Sequence, residues 1–225
     1  MIKGIVFDFD GTLSSEREYI YGCYQAVSQV LENHFGIFDS FEKMVRLFEK
    51  SQERIFNRLL EAEGIVYTEE DIQYLVAKYR EAEPVTRLYE DAIPALERAG
   101  QLDLKRFILT NGYEKIQRKK IQNAHMEHFT EEIIIPDEFG RAFWKPDSRC
   151  LESILEKHAV NRKEIIIVGD GLSDARLAEK MNVPFFLIDR EDKVTQLDKC
   201  VRVSKEITSL MEIFCDEVVS SGESH

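Results

Sequence analysis

The chain has 225 residues, 44% of them hydrophobic, with 14 Phe, 8 Tyr and a formal net charge of -12. That composition suits a folded α/β core with a smaller accessory domain and excludes a disordered or fibrous chain. The acidity argues against a nucleic acid polymer or a membrane surface as partner, because both repel a negative face; a small anion stays compatible if a metal ion and a lysine make its site locally positive. The opening residues MIKGIVFDFDGT bring acids directly after the first apolar run, unlike a secretory leader. No apolar run reaches the length of a membrane span. The expected compartment is therefore the cytoplasm. The four cysteines, Cys23, Cys150, Cys200 and Cys215, form no C-x-x-C pair and are expected as reduced, buried apolar fillers. No feature of the pattern fixes an oligomeric state.

In chain order, residues 2–9 form an apolar run with strand character. Residues 15–84 then carry no convincing strand. Tyr19, Cys23, Ala26, Val27, Val30, Leu31 and Phe35 recur at helical spacing, as do Met44, Leu47, Phe48, Ile55 and Leu59, and Ile72, Leu75, Val76 and Tyr79. This predicts an inserted helical bundle. Ala92, Leu96 and Ala99 predict a helix stopped by Gly100. Further strands are expected at 104–109, 133–135, 165–168 and 185–188, short and apolar nearly throughout, as strands buried on both faces are. Helices are expected through Cys150, Leu151, Ile154, Leu155 and His158, through Ala175, Leu177, Ala178 and Met181, and through Ile207, Leu210, Met211 and Phe214 after a Ser204 cap. Strand alternating with helix predicts an α/β doubly wound parallel sheet. The expected domains are a core of residues 1–14 and 85–219, a helical domain of residues 15–84, and a flexible tail of residues 220–225.

Four motifs carry chemistry. Asp8-Phe9-Asp10-Gly11-Thr12-Leu13 follows the first strand, at the edge where parallel sheets bind ligands. Two carboxylates so close resist joint ionisation unless a cation lies between them; a solvated turn with glycine at positive φ is the plainer alternative. Thr110-Asn111-Gly112 offers a hydroxyl and backbone N–H groups suited to phosphate oxygens, or an ordinary strand-to-helix turn. Lys145-Pro146-Asp147 supplies a fixed cation for a carboxylate and a phosphoryl oxygen, with the proline placed to start the next helix. Gly169-Asp170-Gly171-Leu172-Ser173-Asp174 adds two acids after another strand, oxygen ligands of the kind Mg²⁺ takes, with Asp174 also fit to be a helix N-cap. Each has a bland alternative alone. Their occurrence together, each beside a strand or helix end, is what makes the signal specific.

In this order the motifs resemble those of the haloacid dehalogenase superfamily, over roughly the whole chain. The resemblance implies Asp8 as nucleophile, Asp10 as general acid and base, Thr110 and Asn111 as binders of phosphoryl oxygens, and Lys145 as the fixed cation. It implies Mg²⁺ held by Asp8, the backbone carbonyl of Asp10, Asp170 and Asp174. The helical insert resembles the cap of one large subgroup, and the Thr-Asn-Gly and WKPD segments look most like a branch that includes pyrimidine 5′-nucleotidases. Departures from the family pattern, Leu177-Ala178, Met181-Asn182 and Tyr89-Glu90-Asp91, touch packing and loops rather than charged residues. The implied activity is hydrolysis of a small phosphorylated metabolite, a nucleotide or sugar phosphate among the candidates, through an aspartyl-phosphate. An acid at Asp10 speaks against the dehalogenase and phosphonate-cleaving branches, which lack one there. A phosphomutase of the β-phosphoglucomutase type and a catalytically silent binding protein share the same residues. Tyr19, Tyr21, Arg46, Arg54 and Arg58 are cap residues with polar heads, each more simply a surface or packing group. His125 and His128 read as surface or packing residues, and Trp144 as a structural wedge.

Overall fold

The computed structural model describes residues 1–190 and 201–215. Runs of β-branched and aromatic residues become strands: β1 (Gly4–Phe7), β2 (Lys105–Leu109), β3 (Glu132–Ile134), β4 (Ile165–Gly169), β5 (Phe185–Ile188) and β6 (Lys205–Ile207). They pair in parallel in the order β3-β2-β1-β4-β5-β6. Successive side chains point to opposite faces, so Ile5, Phe7, Ile108, Ile166 and Val168 line one core and Val6, Phe107, Leu109, Ile165 and Ile167 the other. Helices α5 (Ala92–Gln101) and α6 (Glu114–Asn123) cover the first face through Ala92, Leu96, Ala99 and Ile121. Helices α7 (Arg149–Lys157) and α8 (Leu172–Met181) cover the second through Leu151, Ile154, Ala175 and Ala178. Each fully buried Phe or Ile in these layers contributes about 1.5–3 kcal/mol. From β1 the chain steps outward to β2 and β3, then returns to β4 on the far side of β1. The carboxyl ends of β1 and β4 thus flank a topological switch point, where sheets of this kind form a crevice.

Residues Glu16–Val85 form a compact unit separate from the one made by Met1–Ser15 and the chain from Thr86 onward. It holds α1 (Glu16–Phe35), α2 (Ser40–Phe48), α3 (Ile55–Ala62) and α4 (Glu69–Glu81). Its own core includes Val27, Leu31, Met44, Leu59, Leu60 and Leu75. The apolar stripe from Met44 to Leu59 divides between α2 and α3. Helix α4 starts at a reciprocal capping box: the Asp71 N–H donates to Thr68 Oγ1, and the Thr68 N–H donates to Asp71 Oδ2 at 2.8 Å.

Three expectations are corrected. Helix α5 does not stop at Gly100 but runs to Gln101, and Asp103 takes the left-handed turn at φ 55°. A Cβ at Gly100 would lie 2.4 Å from Arg106 Nη1, so the glycine makes room for a guanidinium. The last predicted helix is instead strand β6 followed by a 3₁₀ helix, Leu210–Cys215. Ser204 caps no helix; its Oγ accepts from the Phe185 N–H at 3.2 Å. Leu210 and Ile213 are buried three residues apart while Met211 is 39% exposed, which is the repeat of a 3₁₀ turn. Cys23 and Cys150 are buried, but Cys215 is exposed. Cys200 and residues 220–225 lie outside the described residues. No described helix is long and apolar enough to cross a membrane.

One ion-pair network ties four distant segments of the core. Arg190 donates to both Asp91 oxygens, at 2.7 and 3.0 Å, and to the Thr12 carbonyl at 3.0 Å. Ser209 Oγ and the Leu210 N–H add bonds to Asp91 Oδ2 at 2.9 and 2.8 Å. Burial would push the Asp91 carboxyl up, but these donors and the guanidinium charge outweigh it and hold it below the usual carboxylate range. Its stabilisation is complete above the unfolded-state pKa of about 4 and is lost as pH falls through the lower folded-state value. Asp91→Asn therefore lowers stability at pH 7 by about 2 kcal/mol, and the variant loses less than wild type on acidification below pH ~4. Urea denaturation across pH 3–7 checks both; parallel curves would contradict the assignment.

Candidate active site

The register of the sheet sets the site. Phe7 pairs with Ile108 on one side and Val168 on the other, so Asp8, Thr110 and Asp170 emerge from adjacent strand ends. The Asp8 N–H donates to the Val168 carbonyl at 2.9 Å and the Thr110 N–H to the Ile134 carbonyl at 3.2 Å. Two glycines permit the crowding that follows. A Cβ at Gly11, whose φ is +75°, would lie 2.0 Å from Asp170 Oδ2, and one at Gly169 would lie 2.5 Å from Asp174 Cγ. Any other residue at either place would push a carboxylate out.

Lys145 lies at the centre, only 5% exposed. Its Nζ donates to Asp8 Oδ1 at 2.7 Å and to Asp174 Oδ1 at 2.6 Å. Asn111 holds its backbone: the Lys145 N–H donates to Asn111 Oδ1 at 2.8 Å, and Asn111 Nδ2 donates to the Lys145 carbonyl at 3.1 Å. Burial alone would lower the Lys145 pKa, but Asp174 and Asp8 outweigh it and raise it, so the ammonium stays charged. The Asp8 carboxyl is pushed well up, chiefly by burial; Lys145 opposes this, while Asp174 and Asp170 add to it.

Asp8, Asp170 and Asp174 each place an oxygen within 4.8 Å of the others. Lys145 meets Asp8 and Asp174 with a single ammonium, and a divalent cation supplies the further positive charge that a carboxylate cluster of this kind takes. Asp174 Oδ2 is buried with no hydrogen-bond partner, and a buried charged oxygen without a donor costs a kcal/mol or more, on the order of 1–3. An oxygen-only donor set with one orphaned carboxylate oxygen fits Mg²⁺.

The Asp10 carboxylate lies apart from that cluster. Lys120 Nζ donates to its Oδ1 at 3.0 Å and its Oδ2 at 2.8 Å. Gln117 Nε2 donates to Oδ2 at 3.0 Å and to Thr110 Oγ1 at 2.7 Å, and Ser14 Oγ reaches Oδ1 at 3.3 Å.

Residues 5–188 match the family model of the haloacid dehalogenase-like hydrolases. The chain belongs to this family. It is 24% identical over 181 residues to a glyceraldehyde 3-phosphate phosphatase of Methanopyrus kandleri, covering 76% of this chain and 77% of that one. It is 24% identical over 186 residues to a phosphoglycolate phosphatase of Aliivibrio fischeri, covering 79% and 80%. A haloacid dehalogenase-type hydrolase of Bacillus subtilis, solved bound to magnesium, superposes with a TM-score of 0.71 at 18% identity, covering 95% of this chain and 97% of that one.

In this haloacid dehalogenase-like hydrolase the fold brings Asp8, Lys145, Asp170 and Asp174 together and links Asp10 to Thr110 through Gln117, with two local corrections. Asp174 is not the N-cap of α8; Gly171 is, and Asp174 sits in the first turn, where the helix dipole favours its negative charge. Pro146 does not start α7; Ser148 is its N-cap and Arg149 its first residue. Trp144 donates through Nε1 to Asp137 at 3.0 Å, which wedges the segment before Lys145. Sequence reasoning missed Gln117 and Lys120. The signal was faint: they share a helical face with Ile121, the only buried apolar residue of α6.

Proposed function

We propose that this hydrolase is a Mg²⁺-dependent phosphatase that cleaves a small phosphate monoester through an aspartyl-phosphate at Asp8. The observation that carries the reading is Lys145 Nζ held between Asp8 and Asp174 beside the three-carboxylate cluster. Asp8, the Asp10 carbonyl, Asp170 and Asp174 would hold the ion. When bound, the ion supplies positive charge that lets an anionic nucleophile approach an anionic phosphoryl group. Without compensation, one pair of like charges at about 4 Å costs roughly 4 kcal/mol at an effective dielectric near 20, or about three orders of magnitude in rate.

The chain's own residues do the rest. Asp8 attacks phosphorus in line, the P–O bond to the leaving group breaks, and its electron pair departs with the oxygen. Asp10 gives that oxygen a proton, then takes one from the water that attacks the phospho-aspartate; the P–Oδ bond breaks and Asp8 regains its carboxylate. Lys145 and the Asn111 N–H face the phosphoryl oxygens. Thr110 Oγ1 accepts from Gln117 at 2.7 Å and donates to the Asn111 carbonyl at 3.3 Å; with substrate bound, that hydroxyl hydrogen would turn to the same oxygens. The helical unit Glu16–Val85 serves as the cap that selects the leaving group. Of its candidate residues, Tyr21 donates to Glu49 at 2.5 Å and Arg58 to the Ser51 carbonyl at 2.8 Å. Those contacts lie within the helical unit itself. The relatives named above act on different small phosphates, which suits variation in the cap over a constant core.

The test is phosphate release from a panel of sugar, nucleotide and small-acid monoesters. Release with Mg²⁺ that stops on chelation and returns on re-addition is expected. No release from any member, or conversion of a sugar 1-phosphate to its 6-phosphate without free phosphate, would overturn the assignment.

A further inference from the structure

We propose that Lys120 and Gln117 are positioning residues for the acid–base carboxylate of Asp10, a second cation-centred seat distinct from the one Lys145 provides for the nucleophile. The inference rests on the phosphatase reading above. Helix α6 reads EKIQRKKIQN, yet its buried positions are Gln117, Lys120 and Ile121. Lys120 is 5% exposed and Gln117 1%. Burying an ammonium costs several kcal/mol unless it is paired with good geometry, and surface positions were open to it on the same helix. Spacing of i and i+3 sets both side chains on one face, and both close on Asp10.

The geometry distinguishes the two oxygens of Asp10. Oδ2 is gripped by Lys120 at 2.8 Å and Gln117 at 3.0 Å. Oδ1 has longer contacts, to Lys120 at 3.0 Å and Ser14 Oγ at 3.3 Å. With Lys120 Nζ and Gln117 Nε2 both donating to it at the shorter distances, Oδ2 is the firmly held oxygen, and the more loosely held Oδ1 keeps more room for a proton. Oδ1 is then the oxygen that carries the proton to the leaving group and accepts one from water. Gln117 also joins Oδ2 to Thr110 Oγ1, so the proton donor and a phosphoryl-oxygen donor are held at one fixed separation. Such fixing matters because a misplacement of about 1 Å in a reacting group costs about 100-fold in rate.

The experiment compares kcat/KM for an alkyl phosphate, whose alkoxide must be protonated to leave, with that for 4-nitrophenyl phosphate, whose phenolate leaves without a proton. The constant kcat/KM reports steps only up to leaving-group departure, so the later base role of Asp10 does not confuse it. Lys120→Met should lower the alkyl value about 100-fold and the aryl value far less, as Asp10→Asn should. The Asp10→Asn/Lys120→Met double variant should be no worse than Asp10→Asn alone, since a residue acting through Asp10 has nothing left to position. Gln117→Met, which keeps the side-chain length, should show the same selectivity more weakly and reads the proposal if Lys120→Met fails to fold. Equal losses on both substrates, or additive losses in the double variant, would overturn it. Loss of the leaving-group discrimination in Asp10→Asn itself would instead count against the phosphatase mechanism.

Discussion

Replacing Asp8 with asparagine abolishes turnover, lowering kcat by at least about 10⁴-fold, the scale seen when a covalent nucleophile is removed. Asparagine has the shape of aspartate and its oxygen still accepts from Lys145, so the loss reports chemistry rather than collapse of the site. The same substitution should raise the melting temperature of the metal-free protein. Burial pushes the Asp8 carboxyl well above its ordinary range, with Asp174 and Asp170 adding to the rise; the ionised form is thus disfavoured in the folded state. A carboxylate with a raised folded-state pKa subtracts from stability at pH values above that pKa, and the neutral amide removes the penalty. Mg²⁺ should raise the melting temperature of wild type more than that of the variant, because ligand stabilisation follows affinity. Kinetics with phosphate detection, and thermal melts in chelator and in Mg²⁺, check the set. Activity near the wild-type level in Asp8→Asn would end the assignment of Asp8 as nucleophile.

The parts of this molecule legible from sequence are those in which local chemistry and fold agree. Asp8 and Asp170 follow apolar runs long and β-branched enough to be strands, and parallel strands present their carboxyl ends together; Thr110 followed from the same logic. Convergence of Lys145 on Asp8 and Asp174 was foreshadowed by the proline after it, although its backbone is held by the Asn111 side chain, whose role sequence reading gave to a backbone N–H. Lys120 and Gln117 were hidden because α6 is polar almost throughout, and periodicity marks buried faces only when they are apolar. Strand β6 was hidden for a different reason: it is three residues long at the sheet edge, and Ile207, Leu210 and Phe214 fall by coincidence at helical intervals. Gly100 misled because glycine reads as a helix stop, whereas here its missing side chain serves Arg106, a residue of the neighbouring strand.

The metal-free form of Lys145→Met should be sharply destabilised and Mg²⁺ should restore part of the loss. The lysine is the common partner of Asp8 and Asp174, whose side chains are only 11% and 2% exposed. Methionine fills the volume and removes the charge that Asp8 and Asp174 share. Removing one partner of a buried ion pair costs about 3–5 kcal/mol, because the other is stranded in a poorly solvating interior. For a chain of this size that corresponds to a fall in melting temperature of roughly 10 °C. A divalent cation among the same carboxylates replaces the lost positive charge, so the gap between variant and wild type should narrow as Mg²⁺ is raised. Activity should not recover with it. In the proposed mechanism Lys145 serves the phosphoryl oxygens as well as the carboxylates, and the loss of such a preorganised cation costs about 10²–10³-fold in kcat. Stability and catalysis therefore separate in this variant: Mg²⁺ repairs the first and leaves the second defective. A Lys145→Met protein that melts with wild type in chelator would show that the lysine does not hold the acidic cluster together. One whose kcat returns fully with Mg²⁺ would show that its charge is used only in folding.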